Sequence, residues 1–214
     1  MIAVVDYQKG NLLSVERGLV AVGADARITS DAVEIARADA IVLPGVGAFA
    51  DAVATMNELG QMDAIADRVR AGVPFLGICL GMQLMHEFGV EGASAASPAR
   101  GLGLLPGTVG LIPKTDARGR SFKVPHVGWN TVELTDRGQK SGLFDGIESG
   151  EYFYFTHSYI VPSGETDLAH TAHSIVFPSA VLFGERAFGV QFHPEKSSDA
   201  GMRLLRNFAN LAKS

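Results

Sequence analysis

Through the first half of the chain, short apolar runs alternate with helical patterns, and that alternation admits few folds. Ile2–Val5, Ala26–Thr29, Ala40–Leu43 and Val73–Ile78 read as strands. After the first of them, Leu12, Val15, Leu19 and Val22 recur at helical spacing, with Asn11 placed to cap and Gly23 to stop the helix. A helical region is expected over Asp51–Ala71 and another over Leu80–Phe88. Strands that alternate with helices pair in parallel, because each helix carries the chain back to the same end of the sheet.

The second half reads differently. Shorter strand-like runs are expected at Val109–Ile112, Thr131–Leu134, Tyr152–Phe155, Ser158–Val161, Ser174–Phe177, Ala180–Phe183 and Ala187–Phe192. Turn pairs such as Ser163-Gly164 and Phe183-Gly184 separate them, which suggests antiparallel pairing. Gly89–Gly101, rich in Ala, Ser and Gly, reads as a surface loop, and a last helix is expected over Asp199–Leu211. The expectation is an α/β fold: a mostly parallel, flavodoxin-like central sheet flanked by helices, with an antiparallel region in the C-terminal half. A length of 214 residues suits one domain, taken here as residues 1–214.

The net charge of −5 gives no basic balance toward nucleic acid. One cysteine allows no internal disulfide and fits a reducing compartment. The N-terminal apolar run is short and lacks a basic flank, and the apolar stretch from Ala71 to Met85 is too short and too polar to span a membrane. A cytoplasmic protein is expected.

The strongest local motif is Gly77-Ile78-Cys79-Leu80-Gly81, where an apolar strand meets a helix. A nucleophile on such an elbow stands proud of a sharp turn, and flanking glycines leave room for the turn and for a substrate. The helix N-terminus behind Cys79 favours a thiolate, and the Leu80 amide would face a developing oxyanion. A lone cysteine is often an inert core residue; the elbow is what argues for a nucleophile. Such a nucleophile needs a base. Of six histidines, His193 follows an apolar strand and begins His193-Pro194-Glu195. Residues two apart on an extended chain point the same way, so Glu195 can orient the His193 ring. Alone, that tripeptide is an ordinary strand end. Pro44-Gly45-Val46-Gly47 also ends a strand, and backbone amides of Gly45, Val46 or Gly47 could supply a second oxyanion donor. It is no phosphate loop, since no Gly-Lys-Ser/Thr follows. No metal and no cofactor are expected.

The stretch Gly77–Gln83, with His193-Pro194-Glu195, resembles the class I, triad-type glutamine amidotransferases. Finer motifs resemble the glutaminase subunits of imidazole glycerol phosphate synthases within that family. They are Asp6-Tyr7, Gly10-Asn11-Leu12, Pro44–Gly47, Pro125-His126-Val127-Gly128-Trp129-Asn130, Tyr154-Phe155, His157-Ser158-Tyr159 and His193–Ser198. The resemblance implies that Cys79 attacks the side-chain amide of glutamine and that His193 protonates the leaving ammonia. It implies that Gln83 and Glu91 help hold glutamine, with the backbone near His157, Ser158 and Tyr159 at its amino-acid end. It further implies a heterodimer with a TIM-barrel cyclase subunit that receives the ammonia, with Trp129, Asn130 and Lys196 toward that partner. Gln8-Lys9 departs from the glycine often found after Asp-Tyr. Three alternatives stand beside this reading: a glutaminase for another synthase, a cysteine hydrolase acting alone, and a binding subunit that has lost the reaction.

Overall fold

A computed structural model describes residues 1–213. The first half runs β1 (Ile2–Val5), α1 (Leu12–Ala21), β2 (Ala26–Thr29), α2 (Ala32–Arg37), β3 (Ala40–Gly45), α3 (Phe49–Glu58), α4 (Gln61–Arg70), β4 (Phe75–Cys79) and α5 (Leu80–Leu84). The second half runs β5 (His86–Ser94), β6 (Ser97–Arg100), β7 (Leu105–Leu111), β8 (His126–Leu134), α6 (Asp136–Gln139), β9 (Glu151–His157), β10 (Tyr159–Ile160), β11 (Asp167–Ala172), β12 (Val176–Phe183), β13 (Ala187–Val190) and α7 (Ser198–Leu211).

Nine strands form one mixed sheet in the order β2-β1-β3-β4-β13-β12-β11-β8-β9. Its first five strands are parallel, and from β13 onward each neighbour is antiparallel. The α/β expectation holds, with its antiparallel extension. The period of two along β1 sorts its side chains to opposite faces. Ile2 and Val4 join Leu19 of α1 and Leu204, Leu205 and Phe208 of α7 in one core; Ala3 and Val5 join Ile35, Met56 and Ile65 in the other. Each fully buried Leu, Ile or Phe contributes about 1.5–3 kcal/mol relative to exposure.

Three differences from the sequence reading have physical causes, and others are simply observed. The helical region Asp51–Ala71 begins earlier, at Phe49, and is two helices, broken at Gly60, whose φ of 66° is left-handed. The helix expected over Leu80–Phe88 stops at Leu84, because Leu102, Leu104 and Leu105 donate their amides to the carbonyls of Leu84 and Met85. Those bonds turn the chain into β5. The expected loop Gly89–Gly101 lies within a hairpin of β5 and β6, part of a four-stranded sheet in the order β10-β7-β5-β6. Its side chains are small and mostly exposed, so it carries no apolar alternation to read. The runs Ser174–Phe177 and Ala180–Phe183 join into the single strand β12, and β11 and α2 went unread. At the N-terminal end, Gly23 ends α1 as expected, but Asn11 makes no side-chain cap.

Because β3, β4 and β13 run parallel in register, Gly45 sits opposite Cys79 and Val190 opposite Ile78. The C-terminal ends of these strands share one edge, where open α/β sheets bind ligands. The chain leaves β13 through Gln191 and Phe192 to His193 at that same edge.

Candidate active site

Cys79 ends β4 with φ 55° and ψ −106°, a conformation that L side chains seldom adopt. The flanking glycines are required by contact. A Cβ on Gly81 would fall 1.8 Å from the Leu43 carbonyl oxygen, and one on Gly77 would fall 2.6 Å from the Gly81 carbonyl. The elbow therefore packs backbone on backbone, and the cysteine is pushed toward the sheet edge.

His193 Nδ1 lies 2.9 Å from Glu195 Oε1, with the two side chains 3% and 1% exposed. The carboxylate thus holds the proton on Nδ1 and leaves Nε2 for Cys79. Nε2 has no hydrogen-bond partner among the described residues, and Cys79 acts on the ring electrostatically. Burial opposes the charged ring. The approach of Cys79 and the hydrogen bond to Glu195, with the charges of both, outweigh burial and push His193 up to about 10. The ring is therefore a cation at neutral pH, beside the sulfur. The chain at Pro194–Lys196 is a short 3-10 turn, and the Ser197 hydroxyl donates to the His193 carbonyl, fixing the histidine's backbone.

Cys79 opens on a cleft of about 260 Å³. Val46, Gly47, Leu80, Gln83, Glu91, His157, Ser158 and Tyr159 line it, together with Pro125, which the motif at 125–130 opens on, and Thr156, which the sequence reading did not single out. Gly45 is not among the lining residues; a Cβ there would fall 2.1 Å from the Tyr7 hydroxyl. Tyr7 is fully buried. Burial first, and then the charge of Cys79, hold its hydroxyl protonated well above the ordinary range. The Val46 amide acts on that hydroxyl without reaching hydrogen-bond geometry, so in this conformation it turns inward.

Gln83 is buried and its amide nitrogen donates to the Tyr159 carbonyl at 3.1 Å and to Gln191 Oε1 at 3.0 Å. Both of its hydrogens are used, so Gln83 meets a ligand through its carbonyl oxygen, as an acceptor. Glu91, on β5, has its pKa raised, by burial first and then by the charge of Asp51, against a hydrogen bond from the Phe49 backbone. The His157 ring turns away from solvent and donates through Nδ1 to the Tyr159 carbonyl, leaving backbone to face the cleft.

Beside the cleft, β8 and β9 present one exposed aromatic face. Trp129 is 51% exposed and meets Tyr154 edge-on, and Lys196 lies over the Tyr154 ring with Nζ 5.8 Å from its centroid. Val127 and Tyr152 are exposed on the same pair of strands. Asn130 behaves otherwise: its polar atoms are all engaged within the chain, with His126, the Ala172 carbonyl and the Thr131 amide. Tyr7 was read only as part of a motif, and Gln191 escaped the sequence reading. Gln191 had one signal, a polar residue inside the apolar run Ala187–Phe192.

The family profile described as "Glutamine amidotransferase class-I" matches residues 3–211. The chain belongs to that family. A relative from Caldanaerobacter subterraneus subsp. tengcongensis, named imidazole glycerol phosphate synthase subunit HisH, is 43% identical over 100% of this chain and 99% of its own length. Bearers of the same name from Moorella thermoacetica and Rhodopirellula baltica are 45% and 44% identical, over 99% and 98% of this chain and 95% and 97% of theirs. Among solved structures, a crystal structure of a glutamine amidotransferase superposes with a TM-score of 0.73 at 21% identity, over 100% of both chains. The PurLQS structure from Thermotoga maritima gives 0.70 at 18%, over 98% of this chain and 97% of that one.

Proposed function

We infer that this chain hydrolyses glutamine as the glutaminase subunit of an imidazole glycerol phosphate synthase, in histidine biosynthesis. The observation that carries the site assignment is Cys79 on its positive-φ elbow with the buried His193–Glu195 pair at the end of the adjacent parallel strand.

The geometry supports the following chemistry. Glutamine enters the cleft with its carboxamide toward Gln83 Oε1, which accepts from the amide NH₂ and so discriminates against a carboxylate. Cys79 attacks the amide carbon, and the carbonyl oxygen becomes an oxyanion facing the Leu80 amide at the N-terminus of α5. His193, charged and oriented by Glu195, gives its Nε2 proton to the departing nitrogen. Ammonia leaves and a thioester remains. Water then attacks, with the now neutral His193 taking its proton, and glutamate is released with Cys79 restored. Glu91 and the backbone at 157–159 hold the amino-acid end. Val46 or Gly47 supplies a second oxyanion donor once the Pro44–Gly47 segment turns. Losing one such donor costs about 2.7–4 kcal/mol of transition-state stabilisation, enough to keep a free subunit nearly silent.

The partner is the TIM-barrel cyclase subunit, in a heterodimer, docked on the exposed face of Trp129, Tyr152 and Tyr154 with Lys196 beside it. Ammonia released into neutral water would be protonated and no longer nucleophilic, so the two sites are joined. The cyclase combines it with its nucleotide to give imidazole glycerol phosphate and aminoimidazole carboxamide ribonucleotide. The whole chain acts as one amidotransferase domain in the cytoplasm; no helix among the described residues is long and apolar enough to cross a membrane.

The test is glutamate release from glutamine by the subunit alone, and then with a histidine-pathway cyclase and its nucleotide substrate. Strong activation that Cys79→Ala abolishes is expected. High activity of the chain alone would point to a free-standing hydrolase, and silence with the cyclase would turn the reading toward another synthase.

A further inference from the structure

We propose that Gln191 is a positioning residue for the Cys79 sulfur, with its amide polarity dictated through Gln83 by the Tyr159 carbonyl, on which a buried hydrogen-bond chain from Asn130 on β8 also ends. The inference rests on the reading of Cys79 as the nucleophile.

Each link has only one possible direction. The Tyr159 carbonyl can only accept, so His157 Nδ1, 2.9 Å away, carries a hydrogen. His157 is neutral, because burial first of all holds its pKa down to about 3. Its Nε2 is therefore bare and accepts from His126 Nδ1 at 2.9 Å. His126 is neutral as well, with its pKa lowered to about 4 by burial and then by the charge of His173. Its Nε2 accepts from the Asn130 amide nitrogen at 3.2 Å. Asn130 cannot be turned over, since its nitrogen also donates to the Ala172 carbonyl and its oxygen accepts from the Thr131 amide.

The same Tyr159 carbonyl takes a second donor, the Gln83 amide nitrogen. An oxygen there would face an oxygen, so Gln83 is fixed in turn. Its other hydrogen points at Gln191, which must present Oε1 to it at 3.0 Å. The remaining end of Gln191 is then its NH₂, which lies 3.5 Å from Cys79 Sγ and donates to it. Gln191 is fully buried, so no water competes for that donor. A thiolate formed at Cys79 consequently has Gln191 Nε2 as a donor beside the charged His193 ring, and that donor is pre-aimed through Gln83 by the Tyr159 carbonyl. Hydrogen bonds to a charged acceptor are the strong ones, and this one forms fully only when the sulfur is charged. Gln191 touches no substrate in this scheme; it acts through Cys79.

Cys79 is the single cysteine, so its alkylation by iodoacetamide reads the sulfur directly. The pH profile of that rate is to be measured in the full chain for wild type, Gln191→Glu, Gln191→Met and His126→Phe, with melting curves for each. Gln191→Glu still accepts from Gln83 but turns an oxygen toward the sulfur. Its profile is expected to move to higher pH by about one unit, the scale of losing a charge-assisted hydrogen bond. Gln191→Met keeps the length without a donor and is expected to move less, in the same direction. His126→Phe releases the histidine links while the Tyr159 carbonyl still fixes Gln83, and is expected to leave the profile unchanged. In the complex with cyclase and nucleotide, Gln191→Glu should lose kcat at least about tenfold with KM for glutamine changed less than about twofold. Profiles for Gln191→Met and Gln191→Glu that superimpose on wild type would overturn the proposal. If Gln191→Glu fails to fold, Gln191→Met decides it by the same criterion. Wild-type silence toward glutamine with the cyclase would remove the glutaminase reading instead, while the alkylation profiles would still judge Gln191.

Discussion

Replacing Cys79 by glycine should cost no more stability than replacing it by alanine, although glycine in place of alanine normally weakens a buried site. The comparison is Cys79→Gly against Cys79→Ala, since both lose the sulfur and its electrostatics. At an unstrained position the glycine variant would be the weaker. Its unfolded chain gains about 0.5–1 kcal/mol of conformational freedom, and a buried methyl-sized group worth about 0.8 kcal/mol is lost. That sums to about 1.5 kcal/mol. At Cys79 the backbone sits at φ 55°, and holding an L residue in such a region costs on the order of 1–3 kcal/mol. Glycine escapes that strain, so the two terms cancel, and the glycine variant should match the alanine variant or exceed it by up to about 1.5 kcal/mol. Urea unfolding of the two variants measures the difference. For a chain of this size 1.5 kcal/mol corresponds to about 3–6 °C in melting temperature, so thermal unfolding resolves it too. A glycine variant weaker by the full ordinary amount would mean that the elbow is unstrained, and the account of how Cys79 is held would fail. Both variants should be inactive toward glutamine.

Glu195→Gln should lower kcat of the activated complex by about 10³–10⁴-fold, since an amide no longer fixes the ring tautomer or its charge; steady-state glutaminase assays check this. The same variant bears on alkaline stability. His193 is raised to about 10, above its unfolded value, so its contribution is whole below about pH 6.5 and is lost as pH rises through about 10; that loss should flatten in Glu195→Gln, by denaturant unfolding across the range. The acid limb runs the other way. His157 is lowered to about 3 and His126 to about 4, so the unfolded chain takes protons first and stability falls as pH drops from about 6.5 toward 4. His157 supplies a slope of about 1.4 kcal/mol per pH unit, and His126→Phe should make the limb shallower. Gly81→Ala should abolish stable folding or activity, because the new methyl would stand 1.8 Å from the Leu43 carbonyl, and circular dichroism distinguishes the two. Trp129→Ala should weaken cyclase binding about thirtyfold or more without altering the melting curve, by calorimetric titration, as befits an exposed aromatic anchor.

The parallel half of the sheet was legible because each of its elements carries its own period. The elbow and the His193–Glu195 pair were legible for a related reason: their geometry is local, set within five and three successive residues. What stayed hidden depends on distant contacts. Gln191 and Cys79 are 112 positions apart, and His126 and His157 are 31 apart. Nothing in the sequence around Gln191 fixes which end of its amide meets the sulfur. The truncation of α5 was hidden similarly, because its terminating donors come from residues 102–105. The β5–β6 hairpin was missed for a different reason, since small exposed side chains leave no pattern. Asn130 is likewise held by contacts that its neighbours in sequence do not announce. Its place beside Trp129 suggests an outward role, yet the antiparallel register directs its amide into the network behind the strand.

The strand β9 closes the large sheet at one margin, and its sequence Glu-Tyr-Phe-Tyr-Phe-Thr-His is aromatic, β-prone and nearly uncharged. An open margin of that composition templates self-association into cross-β stacks. Here the chain carrying the histidine lies along it: the His193 amide donates to the Tyr154 carbonyl, and the Tyr154 amide donates to the Ser197 hydroxyl. The stretch from His193 to Ser197 is thus also a guard rail. Variants that loosen it for the sake of catalysis will release a sticky edge, and a preparation of such variants will precipitate before it unfolds.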